Sequence, residues 1–174
     1  VKLLCRGKAN PSLADSECRT PLGVAAENGN VEVMKILLEA GANMSLANKR
    51  GHSPLIAAAA QGYLPAVALL IQWRADPCSM CADARATQRG ADTALIAACR
   101  GDHVEVVDLL IQAKANVNQQ EPLTAKSANL DGWTALLESS CKGKHILVSR
   151  LISAHADPNL NLKGNAGPLY FSAC

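Results

Sequence analysis

Cysteine and histidine are the side chains of this 174-residue chain best suited to metal, redox or nucleophilic chemistry. Cys78-Ser79-Met80-Cys81 is a CxxC, which can begin a zinc or redox site. A structural zinc needs four ligands; no second pair follows, and only Cys99 and His103 remain as distant candidates. The seven cysteines, at 5, 18, 78, 81, 99, 141 and 174, are odd in number and scattered, which does not make a disulfide framework. They read as reduced, buried thiols of a chain in a reducing intracellular compartment, cytoplasmic or nuclear. The histidines at 52, 103, 145 and 155 form no constellation, and Asp102-His103 reads as a solvated turn without a nucleophile beside it. Gly143-Lys144 lacks the upstream glycine and the following hydroxyl residue of a phosphate loop. Arg100-Gly101-Asp102 and Asn43-Met44-Ser45 spell an adhesion tripeptide and a glycosylation acceptor, and both read as chance. The expectation is therefore no catalytic residue, no cofactor and no metal.

The elements that must carry these residues are helices. Hydrophobic residues make up 49% of the chain but aromatics only 3%, while 30 alanines and 23 leucines supply the bulk. Such a core suits thin, closely packed helices better than a bulky sandwich or barrel. The apolar content excludes disorder. Seventeen basic residues against 15 acidic ones exclude a nucleic-acid footprint. Leu55 to Trp73 is 19 residues without a formal charge, close to a bilayer span. Gln61-Gly62-Tyr63-Leu64-Pro65 breaks it with a turn, so no membrane span is expected. No signal peptide opens the chain, and Val1 in place of Met suggests a fragment.

One pattern recurs. Thr20-Pro21-Leu22-Gly23-Val24-Ala25-Ala26 returns as Ser53-Pro54-Leu55-Ile56-Ala57-Ala58-Ala59, as Thr93-Ala94-Leu95-Ile96-Ala97-Ala98-Cys99 and as Thr134-Ala135-Leu136-Leu137-Glu138-Ser139-Ser140. Gly167-Pro168-Leu169 begins a fifth copy, and the central leucines are spaced by 33, 40, 41 and 33 residues. A second pattern follows each of the first four copies, as in Val33…Leu37-Leu38…Gly41-Ala42-Asn43 and Val106-Val107…Leu110-Ile111…Lys114-Ala115-Asn116. Each unit predicts two short antiparallel helices. A Thr or Ser hydroxyl caps the first, Gly29, Gly62 and Gly143 end it, and the Val…Leu-Leu run is the buried stripe of the second.

These motifs resemble the ankyrin repeat, with its 33-residue period and Thr-Pro-Leu-His-x-Ala signature. The resemblance covers essentially the whole chain and implies an all-α ankyrin-repeat solenoid of helix-turn-helix units with β-hairpin or loop fingers. Complete repeats are assigned to 15–47, 48–80, 88–120 and 129–161, partial ones to 1–14 and 162–174, and finger insertions to 81–87 and 121–128. The signature His is replaced by Gly23, Ile56, Ile96, Leu137 and Tyr170. Asp102 stands where a helix-ending Gly is usual, and Lys8, Arg74, Lys114 and His155 replace the Gly after the second helix. Both ends cut a repeat in half, so the chain is expected to be monomeric within a longer array.

The function that the resemblance implies is non-catalytic recognition of a protein partner by the concave face and the fingers. Carried onto this register, the contact positions are Glu17, Arg19, Glu27, Asn28, Lys49, Arg50, His52, Arg89, Asp92, Arg100, Asp131, Trp133 and Lys142. Trp133 is of the type that anchors interfaces, although it also suits packing on a neighbouring finger. An alternative is a targeting or regulatory segment of a larger enzyme, such as a kinase or ubiquitin ligase, with its catalytic domain elsewhere.

Overall fold

The computed structural model describes residues 9–79, 92–120 and 133–160. The finger insertions 81–87 and 121–128, Arg89, Asp131, Cys81, the repeat piece 162–174 and most of 1–14 lie outside the described residues. Eight helices form there, in four antiparallel pairs. The first pair is α1 (Pro21–Glu27) and α2 (Val31–Glu39), and the second is α3 (Pro54–Ala60) and α4 (Leu64–Gln72). The third is α5 (Ala94–Gly101) and α6 (Val104–Gln112), and the fourth is α7 (Ala135–Cys141) and α8 (His145–Ser153). No helix among the described residues is long and apolar enough to cross a membrane.

Each first helix starts in the same way. The hydroxyls of Thr20, Ser53, Thr93 and Thr134 accept the backbone N–H three residues on, at 3.1, 3.4, 3.1 and 3.2 Å. One otherwise unbonded N–H per helix is thereby satisfied. Pro21 and Pro54 follow at the first helical position, where the absent N–H costs nothing. A second device recurs in the loops that follow α2, α4, α6 and α8, and at Asn10. Asn10, Asn43, Asp76, Asn116 and Asp157 each accept, through the side-chain oxygen, the N–H two residues ahead at 2.8–3.0 Å. The short Asx turn thus formed is the physical content of the recurring Ala-Asn and Ala-Asp pairs.

The core is built in two layers. Leu22, Leu55, Leu95 and Leu136 are buried in the first-helix layer, and Leu37, Leu70, Leu110 and Leu151 in the second. Each fully buried Leu contributes about 1.5–3 kcal/mol. Alanines at 25–26, 57–59 and 97–98 are also buried and let the first helices approach more closely than the second helices do. The array therefore curves with α1, α3, α5 and α7 on its inner, concave side.

Successive pairs are tied through the residue before each second helix. Tyr63 lies against Gly29, and His103 lies against Gly62 and reaches the Ala60 carbonyl oxygen with Nε2 at 3.2 Å. Lys144 Nζ donates to the carbonyls of Cys99 and Arg100 at 2.9 and 3.2 Å. His103 is thus a partly buried staple between repeats, rather than the solvated turn expected for it. Gly62 must be glycine for two reasons: its φ is +75°, and any Cβ there would collide with the His103 ring.

Asp102, Arg74, Lys114 and His155 adopt φ of +65°, +65°, +65° and +64°, the left-handed conformation that glycine would take freely. Gly41, which in the first pair takes the place of Arg74, Lys114 and His155, has φ +82°. Lys114→Gly is therefore expected to stabilise the chain by about 0.5–1 kcal/mol, relief of left-handed strain net of the added flexibility of glycine. A rise in the urea midpoint at unchanged slope is the measurement that checks it.

Candidate functional site

The tips of the first two loops and the concave ends of the first helices hold most of the expected contact residues. The loop 15–19 closes by Asp15 N–H to the Arg19 carbonyl at 3.1 Å, and the loop 48–52 by Asn48 N–H to the His52 carbonyl at 3.1 Å. Lys49 N–H donates to the Glu17 carbonyl at 3.0 Å, joining the two loops. They are hairpin-like turns, and no strand forms among the described residues. Lys49 Nζ pairs with Glu17 Oε1 at 3.1 Å, and Arg19 with Asp15 at 2.8 Å. The backbone N–H of Arg19, and then its guanidinium, hold the Asp15 carboxyl below its ordinary range. Glu17, Arg19, Glu27, Asn48, Lys49 and Arg50 line a recess of about 140 Å³. Asn28 is exposed at the end of α1 and donates from Nδ2 to the Val24 carbonyl at 2.8 Å.

His52, Asp92, Arg100, Trp133 and Lys142 come from three different repeats and meet in one charged cluster. Arg100 Nη1 pairs with Asp92 Oδ2 at 2.5 Å, and its Nε lies 3.5 Å from Glu138 Oε1. Lys142 Nζ pairs with the same Glu138 oxygen at 2.6 Å, and Trp133 Nε1 donates to Glu138 Oε2 at 2.7 Å. His52 Nε2 lies 3.9 Å from Asp92 Oδ2. Asp92 and Glu138 are both buried. Trp133 is half-buried against the core, so its indole belongs at least partly to the packing of the array. Burial opposes ionisation of Glu138, but Lys142, Arg100 and Trp133 together outweigh it and hold the carboxyl below its ordinary value. Burial also lowers the His52 pKa, in spite of the attraction of Asp92. The folded chain therefore takes up that proton only at lower pH than the unfolded chain does. Stability from His52 is lost as pH falls below about 6.5.

Glu138 is the residue that register reasoning missed. It replaces Ala57 and Ala97 of the neighbouring copies, and lies four residues before Lys142 and five after Trp133. A carboxylate at an alanine position, with a base one turn on, was the available signal.

The cysteines correct an expectation. Cys99 is buried, but Cys18 and Cys141 are exposed and Cys78 is half-buried. Burial pushes the Cys99 thiol up to about 12, which keeps it protonated and unreactive. No group of three metal-ligating side chains occurs among the described residues.

A family model described as ankyrin repeats in three copies matches residues 1–81 and again 79–163. No curated protein matches the chain.

Proposed function

Since the chain belongs to the ankyrin-repeat family, whose members are generally protein-interaction modules, we propose that it binds a protein partner without catalysis, through its concave face and loop tips. The observation that carries this reading is the contiguity of the face. Contact positions from four consecutive repeats lie along one side, held by caps, by the Lys49–Glu17 link and by the Asp92–Arg100–Glu138 pairs. A surface already fixed in this way loses little conformational entropy when a partner docks. The free thiols of Cys18 and Cys141 on the surface fit a reducing intracellular compartment, which is part of the same proposal.

Steric blocking tests the face independently of its charge. Asn28 and Gln61 are exposed at the ends of α1 and α3, and Glu105 is exposed on the opposite layer in α6. The immobilised chain is exposed to cell extract, and captured proteins are identified by mass spectrometry. Asn28→Trp combined with Gln61→Trp is expected to reduce capture of a specific protein at least tenfold, about 1.4 kcal/mol of binding energy, while Glu105→Trp leaves it unchanged. Capture that survives the concave-face pair but is lost with Glu105→Trp would overturn the proposal.

A further inference from the structure

Of the eleven asparagines in the chain, only Asn28 is followed by glycine. A glycine nitrogen has no Cβ beside it to crowd its approach, so this pair has the least hindered route to loss of a side-chain amide. In that reaction the Gly29 nitrogen, deprotonated by hydroxide, bonds to Asn28 Cγ. The Cγ–Nδ2 bond breaks, and ammonia leaves with a proton taken from water. Water then opens the five-membered imide at either carbonyl. Position 28 becomes an aspartate or an isoaspartate, the second with an extra carbon in the main chain. The matching pairs of the later repeats are Gln61-Gly62, Gly101-Asp102 and Lys142-Gly143. The first would have to close a larger ring, and the other two carry no side-chain amide.

Asn28 is exposed at the end of α1, yet the fold opposes the reaction in three ways. With φ −101° and ψ 0°, the Gly29 nitrogen eclipses the Asn28 nitrogen and lies away from the Asn28 Cβ, whereas ring closure needs it beside that Cβ. Both reacting groups are also held by α1. The Gly29 N–H donates to the Ala26 carbonyl at 3.2 Å, and Asn28 Nδ2 donates to the Val24 carbonyl at 2.8 Å. Finally, the Tyr63 ring of the second repeat lies against Gly29, which is held at φ +68°.

We propose that Asn28 is a modification site of this chain, a self-deamidating amide whose rate is set by opening of the turn after α1 and not by its exposure. Opening has to break the bond from Gly29 to Ala26 and the 2.8 Å bond from the Asn30 N–H to the Ala25 carbonyl, and to lift Gly29 off Tyr63. Such a local opening costs less than unfolding the whole array. Tyr63 is the guard, a side chain from the next repeat that holds the reactive nitrogen in place. An isoaspartate does not rebuild the turn, because its extra carbon upsets the spacing of the bonds from residues 28, 29 and 30 to Val24, Ala26 and Ala25. The new carboxylate lies beside Glu27 on the concave side, whatever that side binds.

The test incubates the whole chain at mildly alkaline pH, either folded in buffer or unfolded in guanidinium chloride. Peptide mapping by mass spectrometry reads the mass gained when the amide becomes an acid, and chromatographic retention separates isoaspartate from aspartate. In the unfolded chain Asn28 is expected to react faster than every other asparagine, and in the folded chain about tenfold or more slowly than when unfolded. Asn28→Gln should abolish the signal. Tyr63→Ala should speed the folded reaction about threefold or more, because no ring then pins Gly29. Leu110→Ala, two repeats away in α6, should speed it less than Tyr63→Ala does, since a local opening leaves the third helix pair folded. Circular dichroism confirms that the variants are folded, and Tyr63→Leu replaces Tyr63→Ala if the latter is not. Equal rates in the folded and unfolded chain overturn the proposal, as does an Asn28 that stays intact when unfolded or a signal that survives Asn28→Gln. A folded rate indifferent to loss of the Tyr63 ring overturns it too, as does acceleration by Leu110→Ala as large as that by the Tyr63 variant.

Discussion

Leu110→Ala is expected to lower the unfolding free energy by about 2–5 kcal/mol, the range for truncating a fully buried leucine. Leu110 has no exposed surface and sits in α6, in the third of the four helix pairs. The helix pairs on either side, through α4 and α8, pack against α6, so a cavity there has walls on both sides and little freedom to collapse. Position in the array sharpens the expectation. In a linear array, each repeat is stabilised by itself and by its two neighbours. Weakening the third pair should therefore uncouple the α7–α8 pair from the first two pairs, and not merely shift one transition. Guanidinium unfolding followed at Trp133, with Trp73 replaced by Phe, should separate from unfolding followed by far-ultraviolet circular dichroism, whereas the two signals of the parent coincide. A loss below 1 kcal/mol with coincident curves would mean that α6 is not a load shared by its neighbours.

Arg100→Met is expected to cost about 3 kcal/mol, near the low end of the range for removing one partner of a buried ion pair. The low end applies because Arg100 itself keeps a quarter of its side-chain exposure. Methionine retains most of the apolar stem, so the cost comes from charge. Asp92 would be left buried with only His52, at 3.9 Å, as a described partner. Glu138 would keep Lys142 and Trp133. The acid side of the pH profile gives a second readout. The unfolded Glu138 carboxyl takes up its proton near the ordinary value of 4.5, and the folded carboxyl only at lower pH. The unfolded chain thus binds protons first as pH falls, and this contribution to stability is lost through that window. Removing Arg100 moves the folded value back toward the ordinary one. The gap between parent and variant should therefore be full above about pH 5 and shrink below about pH 4. Urea titrations at pH 7, 5 and 3.5 check both the size and the pH dependence.

Fold and site were unequally legible. Thr20, Ser53, Thr93 and Thr134 could be assigned as caps without a structure, because a cap is a bond to an N–H three residues away. The left-handed conformations of Asp102, Arg74, Lys114 and His155 were legible in the same way, from their place at helix ends. His103 and Glu138 were not. One acts on a carbonyl 43 residues earlier, and the other joins a cluster drawn from three repeats. Their partners are set by the stacking distance between helix pairs, which no local spacing encodes.

The sequence by itself determined the family, the helix pairs, their caps and turns, and the alanine and leucine positions that make a stacked array. Each of these rests on interactions within about ten residues, repeated often enough to fix the register. Only the tertiary structure decided that Asp92 and Glu138 lie under Arg100 and Lys142, and that Trp133 spends its indole N–H on one of them. Burial decides how far each charge is exposed, and burial is a property of neighbouring repeats packed together. That is why, of the acids in a mixed-sign sequence, Asp92 and Glu138 end up buried beside Arg100 and Lys142 while Asp102 stays exposed.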